Sequence, residues 1–284
     1  MPIKVDHISI TYQPHTPFAQ TALKNISTFI EDGSVLGIMG AAGSGKSTLL
    51  QILTGLLVPD QGKVVIDNEE VNLAKGKKLH LPQLKVGLVM QFPERQLFQL
   101  TVASDIAFGP QNLGFNRDEV QQRVEWAMDM VNLPYQKYGK RPPHQLSSGE
   151  KRLAAIAGIL ALKPQYLLLD EPTAGLDAPG RNQLLDCLRR LNQDYNTTLV
   201  IVSHQLSELL EVGTHLLILV EGEVFKQGDI WTVLNDREAL IEQGFDLPVA
   251  GEVINRLNQR GWDLDTRVRN NCAASRAIAR ALRK

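Results

Sequence analysis

The sequence predicts an α/β domain built on a largely parallel sheet, and three observations carry that prediction. The runs "YLLLD", "TLVIVS" and "HLLILV" are apolar almost without interruption, which suits strands covered on both faces. Stretches of helical periodicity alternate with them, the order expected of a parallel sheet flanked by helices. Earlier, "GSVLGIMG" passes through a glycine turn straight into "KSTLLQILTGLL", a strand that opens a helix.

Taken in order, "IKVDHISITY" is β-branched and loosely alternating, the pattern of a half-buried strand. The helix after the glycine turn should stop near Gly55, ahead of the turn signal "PDQG". "KVVIDN" and "VGLVMQ" read as further strands. From about residue 92 to 160 the pattern changes to that of a helical insertion. There "NRDEVQQRVEWAMDMVNL" places Val120, Val124, Ala127, Met128 and Val131 on one face, with Asn116 and Glu119 at capping-box positions. After about Asp229 strand signals cease. The tail "RVRNNCAASRAIARALRK" is basic and free of acids, and reads as a solvated helix or frayed end. No internal repeat or low-complexity segment is present.

Composition narrows the function. Apolar residues at 43% and charged residues at 21% are ordinary for a soluble globular chain. A formal net charge of −1 leaves no footprint for nucleic acid. Cys187 and Cys272 match no metal or redox spacing and fit a reducing compartment. No apolar run reaches membrane-span length, and "MPIKVDHISI" lacks the pattern of a secretion signal. A cytoplasmic protein is expected, serving a membrane only through a partner.

"GAAGSGKST" satisfies the phosphate-loop pattern through Gly40, Gly45, Lys46 and Ser47. Backbone N–H groups, a helix dipole and close backbone approach favour an anion at such a turn. Lys46 would reach the β- and γ-phosphates, and the Ser47 hydroxyl would ligate Mg²⁺. "YLLLDEPTAGLD" places two carboxylates after a buried strand: Asp170, suited to hold Mg²⁺ through water, and Glu171, suited to orient or deprotonate an attacking water. Alone, such adjacent acids are usually solvated charges. His204 and Gln91 also end apolar strands, where side chains face the ligand crevice of an open α/β sheet. His204 could bond a γ-phosphate or fix the water, and Gln91 could contact Mg²⁺ or water. A structural histidine and a plain polar strand end are the alternatives. Tyr12 ends the first strand and could stack on adenine or serve as a core aromatic. "QLSSGEKR" combines a capping box, Ser147 with Glu150, with the look of a second phosphate-binding turn.

Together "GAAGSGKST", "MQFPERQLF", "LSSGEKR", "LLLDEPTAGLD" and "VIVSH" resemble, in order over roughly residues 3 to 230, the nucleotide-binding subunits of ABC transporters. The resemblance implies a P-loop NTPase fold of ABC ATPase type. It adds N-terminal antiparallel strands to the mostly parallel core sheet, along with the helical subdomain and a small C-terminal extension. Residues 1–230 would form the nucleotide-binding domain, and 231–284 an extension that could serve dimerisation. It assigns Walker A to Gly40, Ala41, Ala42, Gly43, Ser44, Gly45, Lys46, Ser47 and Thr48, and the Q-loop to Gln91. The signature falls on Leu146 to Glu150, Walker B on Asp170 and Glu171, the D-loop on Ala174 to Asp177, and the switch histidine on His204. "QFPERQLFQLTVASDIAFGPQNLG" and "AIAGILALKPQYLLLDEPTAGLDAPGR" look further like the energy-coupling factor (ECF) ATPases, nearest the second of their two types.

That likeness implies ATP and Mg²⁺ as cofactors and a site at the cytoplasmic face of the membrane. Three partners are implied: a second ATPase subunit, a transmembrane coupling subunit and a membrane-embedded substrate binder. It also answers why a second phosphate-binding turn exists: Ser147, Ser148 and Gly149 would face a nucleotide held by the partner ATPase. Here Ser148 replaces the usual glycine and Glu150 the usual glutamine. Ser148 costs little at negative φ and about 1 kcal/mol or more at positive φ. Arg152 is a candidate to neutralise Glu150. Two other classes fit less well. A soluble ABC protein of ribosomes or DNA usually carries two cassettes or a long inserted arm. A non-hydrolysing scaffold would have no use for Asp170, Glu171 and His204.

Overall fold

The computed structural model describes residues 2–71 and 85–282, so the last two residues of the basic tail lie outside it. Two sheets organise the described residues. The first is antiparallel, in the order β2 (Gln20–Ile30), β1 (Ile3–Tyr12), β4 (Gln61–Ile66), β5 (Glu69–Glu70). The second runs β10 (Glu223–Asp229), β9 (His215–Val220), β3 (Val35–Gly40), β8 (Thr198–Val202), β7 (Tyr166–Asp170), β6 (Val86–Val89). It is parallel from β9 to β6, with β10 antiparallel at one edge.

The continuous apolar runs are explained by what lies on each face. Alternate residues of the parallel strands fall into two separate cores. Val35, Met39, Leu167, Leu169, Leu199, Ile201, Leu216 and Ile218 join the core on one side. Leu36, Ile38, Leu168, Val200, Val202, Leu217 and Leu219 join that on the other. The first core holds the helical insertion and α6 (Ala178–Tyr195). The second holds α1 (Lys46–Leu53) and the antiparallel sheet. Both faces of these strands are thus covered along most of their length.

The helical insertion follows β6: a short 3₁₀ turn at Pro93–Gln96, then α2 (Val102–Asn112), α3 (Arg117–Met130), α4 (Tyr135–Tyr138) and α5 (Ser148–Leu160). The five apolar residues picked out by periodicity are all buried, four of them in α3 and Val131 at its C-cap. Its N-cap is half of the expected box. Asn116 Oδ1 accepts from the Glu119 N–H at 2.9 Å, but the Glu119 carboxylate turns to Arg123 at 3.1 Å.

Three strands escaped the residue-by-residue reading: β2, β10 and the two-residue β5. β10 is built of "EVFKQGD", polar and partly exposed, and reaches β9 through the two-residue turn Glu221–Gly222 at φ 50° and 81°. Two left-handed residues in a two-residue loop match the right-handed twist of a hairpin. β2 pairs with β1 through a broken register in which Asn25 takes φ 52°, so its alternation is irregular.

The C-terminal reading holds in part: the tail forms a largely exposed helix with one packed face. After α7 (Leu206–Val212), β9 and β10 come α8 (Ile230–Asn235), α9 (Arg237–Glu242), α10 (Val249–Gln259) and α11 (Asn271–Ala281). The basic tail is neither frayed nor fully solvated. Asn270 caps α11 by accepting from Ala273 N–H at 3.0 Å. Ala274 packs with Ala250, Ile254, Leu264 and Val268 into a small separate core. Arg269 Nη1 donates to the carbonyls of Leu210 (2.7 Å) and Gly213 (3.2 Å) at the end of α7, so the positive charge of this segment is partly spent on a helix C-terminus. Among the described residues no helix is long and apolar enough to cross a membrane.

Candidate active site

Register brings the candidate residues to the C-terminal ends of the parallel strands. Val202 pairs with both Ile38 and Asp170, and Leu169 pairs with Val89. The strands therefore end together. Gly40 to Gly45 leave β3, Glu171 leaves β7, and Ser203 and His204 leave β8, side by side.

The loop after β3 depends on glycine at two points. Gly40 takes φ +158° and Gly45 φ +98°. A Cβ at Gly45 would lie 2.5 Å from both the Ala22 carbonyl oxygen and Leu23 Cδ2. Lys46, first residue of α1, donates from Nζ to the carbonyls of Gly40 and Ala41, each at 2.8 Å. Burial pushes its ammonium pKa down, against the pull of Glu171 and Asp170. Ser44 is buried, while Ala41, Ala42 and Gly43 are exposed on the loop's outer surface. Tyr12 lies beside this loop, its hydroxyl 3.2 Å from Thr48 Oγ1. It helps line an open pocket of about 190 Å³ with Gly43, Gly45, Lys46, Ser47 and Thr48. At 39% exposed it is no core aromatic.

Glu171 and His204 meet. His204 Nδ1 lies 2.8 Å from Glu171 Oε2, so an Nδ1–H imidazole donates to the carboxylate. Glu171 sits at φ 49°, in the left-handed region, with its N–H donating to Val202 O at 3.0 Å. Backbone of this kind persists only where the surroundings hold it. Burial pushes its carboxyl pKa up, with His204 the main opposing influence. A carboxylate with raised proton affinity, oriented by an imidazole, can take a proton from water. Gln91 stands exposed two residues beyond β6, past the same ends of the strands but on the outermost one.

The second turn is a complete capping box at the start of α5. Glu150 N–H donates to Ser147 Oγ at 3.2 Å, and Ser147 N–H donates to Glu150 Oε2 at 2.8 Å. Ser148 begins the helix and is not among the positive-φ residues, so replacing glycine costs little there. The expectation for Arg152 is overturned. Its guanidinium is buried and pairs with Glu94, Nε to Oε2 at 3.1 Å, because residues two apart on a helix do not face each other. The second Glu150 oxygen accepts instead from the Tyr138 hydroxyl at 2.8 Å. The hydrogen bond from Ser147, with that from Tyr138, holds the Glu150 carboxyl below its usual range. Asp177 caps α6, accepting from Gly180 N–H at 2.9 Å. Leu176, beside it, lies 3.5 Å from where a Gly149 Cβ would stand.

A group that sequence reasoning missed lies under the site. Glu208 is 3% exposed and accepts from Thr173 Oγ1 at 2.6 Å and Ser203 Oγ at 3.0 Å. The available signal was its place in "LSELL", a short helix flanked by leucines on both sides.

This architecture is a P-loop NTPase fold of the ABC ATPase kind. Residues 23–174 match the ABC transporter family. The energy-coupling factor transporter ATP-binding protein EcfA2 of Clostridium acetobutylicum is 40% identical over 282 residues, 99% of this chain and 98% of its own. Among solved structures, cbiO1 from Clostridium perfringens, part of the ABC transporter complex cbiONQ, superposes at a TM-score of 0.75. It is 32% identical and covers 89% of this chain and 98% of its own. A dimeric ATP-binding cassette in a post-hydrolysis state bound to ADP and Pi superposes at 0.72 with 30% identity, covering 80% of this chain and 98% of its own. The chain belongs to the ABC transporter family, among the energy-coupling factor transporter ATP-binding proteins, and is an ATPase that binds ATP.

Proposed function

We propose that the chain is the energy-coupling ATPase of an ECF-type importer, driving uptake of a vitamin or metal ion by ATP-dependent closure of two cassettes. The reading rests above all on the convergence of Lys46, Asp170, Glu171 and His204 at the C-terminal ends of the parallel strands. The Gly40–Thr48 loop would cradle the phosphates on its N–H groups and Lys46, with Tyr12 against the base. Ser47 and Asp170 are a sparse oxygen set, the kind magnesium takes when phosphates and water complete its octahedron, with Gln91 at its margin. Bound there, Mg²⁺ would neutralise charge on the phosphates. Glu171, oriented by His204, would hold and deprotonate the attacking water.

Ser147 and Gly149 would face the γ-phosphate of a second cassette, at a helix N-terminus suited to an anion. Asp177 would lie in the same seam. The nucleotide-binding domain would span residues 1–230, with 231–284 as an extension able to support pairing. The likeness to ECF subunits supports a peripheral place on the cytoplasmic face of the membrane. There a transmembrane coupling subunit and a membrane-embedded substrate binder would complete the assembly.

Purification from membranes with the associated chains identified tests the assembly, which predicts a second ATPase and two membrane proteins. In that assembly, restoring the usual signature with Ser148→Gly and Glu150→Gln should change hydrolysis at the partner's site. A response confined to the site built on Lys46 would overturn the shared-seam reading.

A further inference from the structure

We propose that Glu208 is the positioning residue for the Glu171–His204 pair, an inference that rests on the catalytic reading of that pair. Its Oε2 oxygen receives two hydroxyl hydrogen bonds from two different loops. One comes from Thr173, two residues beyond Glu171, at 2.6 Å. The other comes from Ser203, the residue before His204, at 3.0 Å. Ser203 is itself fixed. Its Oγ accepts from Gln205 N–H at 3.0 Å, and its own N–H donates to Ile38 O at 3.2 Å in β3. A single buried carboxylate oxygen thus ties the loop after β7 to the loop after β8, next to the 2.8 Å contact they must form.

Burying a carboxylate is costly, and its retention calls for a role that apolar packing cannot fill. Shape alone would be served by leucine, as at Leu206, Leu209 and Leu210 around it. What leucine cannot supply is an acceptor shared by two loops. The left-handed backbone of Glu171 makes that acceptor more telling, since a strained residue keeps its place only through such tethers.

The other oxygen extends the device. Oε1 of Glu208 is buried without a hydrogen-bond partner, and so is Nε of Arg181. Arg181 Nη1 stands 3.9 Å from Oε1. Arg181 lies in the first turn of α6, its N–H bonded to the carbonyl of Asp177. Glu208 therefore also faces the first turn of α6, beside the Asp177 loop.

The test uses the full chain in the assembly with which it purifies. Phosphate release is measured over a range of ATP concentrations and expressed per nucleotide-binding site. Glu208→Ala leaves both hydroxyls without their acceptor, and kcat should fall about 10- to 100-fold while KM stays within about 2-fold. Glu208→Gln, whose amide oxygen can still accept from Thr173 and Ser203, should recover kcat to within about 3-fold of the parent. Thr173→Val removes only the shorter bond and should lower kcat at unchanged KM even if Glu208→Ala does not fold. The proposal is overturned by Glu208→Ala or Thr173→Val turning over within about 2-fold of the parent, or by Glu208→Gln being as slow as Glu208→Ala. Glu171→Gln run alongside keeps the two readings apart. If it is inactive while the Glu208 variants are normal, only the positioning role fails; if it turns over normally, the catalytic pair itself is wrong.

Discussion

Glu150 offers a graded test of the signature turn, because its two oxygens do separate things. One caps Ser147 N–H at 2.8 Å, and the other accepts from the hydroxyl of Tyr138, a residue only 8% exposed. In Glu150→Ala the Tyr138 hydroxyl loses its acceptor in a nearly buried place, worth about 1–2 kcal/mol. The Ser147 N–H can turn to water and adds only a few tenths of a kcal/mol. The expected loss is about 1–2.5 kcal/mol, below that of full charged hydrogen bonds because the carboxylate is partly solvated.

Glu150→Gln behaves differently. Its amide oxygen can accept from Ser147 and its NH₂ can donate to the Tyr138 oxygen, so about 0.5 kcal/mol or less should be lost. Thermal unfolding followed by circular dichroism at pH 7 reads the difference, a midpoint lowered by about 3–6 °C for Ala and nearly unmoved for Gln. The pH dependence has a definite sign. The carboxyl pKa is held below its ordinary 4.5 in the folded chain. Its contribution is therefore complete above that value and is lost as pH falls through the lowered one. The gap between parent and Gln should close in that acid window. Equal losses in Ala and Gln at pH 7 would refute the hydrogen-bond account of this cap.

Three other outcomes are expected. Glu171→Gln should abolish phosphate release and retain bound ATP; in the parent, burial raises the Glu171 pKa, so the acid limb of the rate should lie above the ordinary 4.5 and activity should rise with pH through it. Gly45→Ala would drive a Cβ against the Ala22 carbonyl at φ +98°, costing about 2 kcal/mol or more, and should lower both the melting point and nucleotide affinity. Ile254→Ala, at 0% exposure in the separate C-terminal core, should cost about 2–5 kcal/mol locally. Hydrogen exchange should then rise in α10 and α11 while the phosphate loop keeps its protection.

Parts whose chemistry is local could be read from the residues alone. Glycines at Gly40 and Gly45, the lysine that opens α1, the carboxylates ending β7 and the cap at Ser147 announce themselves, because each meets a demand of its own few residues. Buried parallel strands were legible for the same reason, since having both faces covered leaves an unbroken apolar run.

The remaining features depend on partners distant along the chain. β10 is polar and becomes a strand by pairing with β9, and β2 is irregular because its register with β1 is broken. Arg152 finds Glu94 across 58 residues and leaves the nearby Glu150 to Tyr138. The basic tail becomes ordered by packing on α10 and bonding the end of α7. Glu208 gains its place from Thr173, 35 residues away. A charge has the same letter whether solvated or buried, and only the folded contacts that replace water assign it one fate or the other.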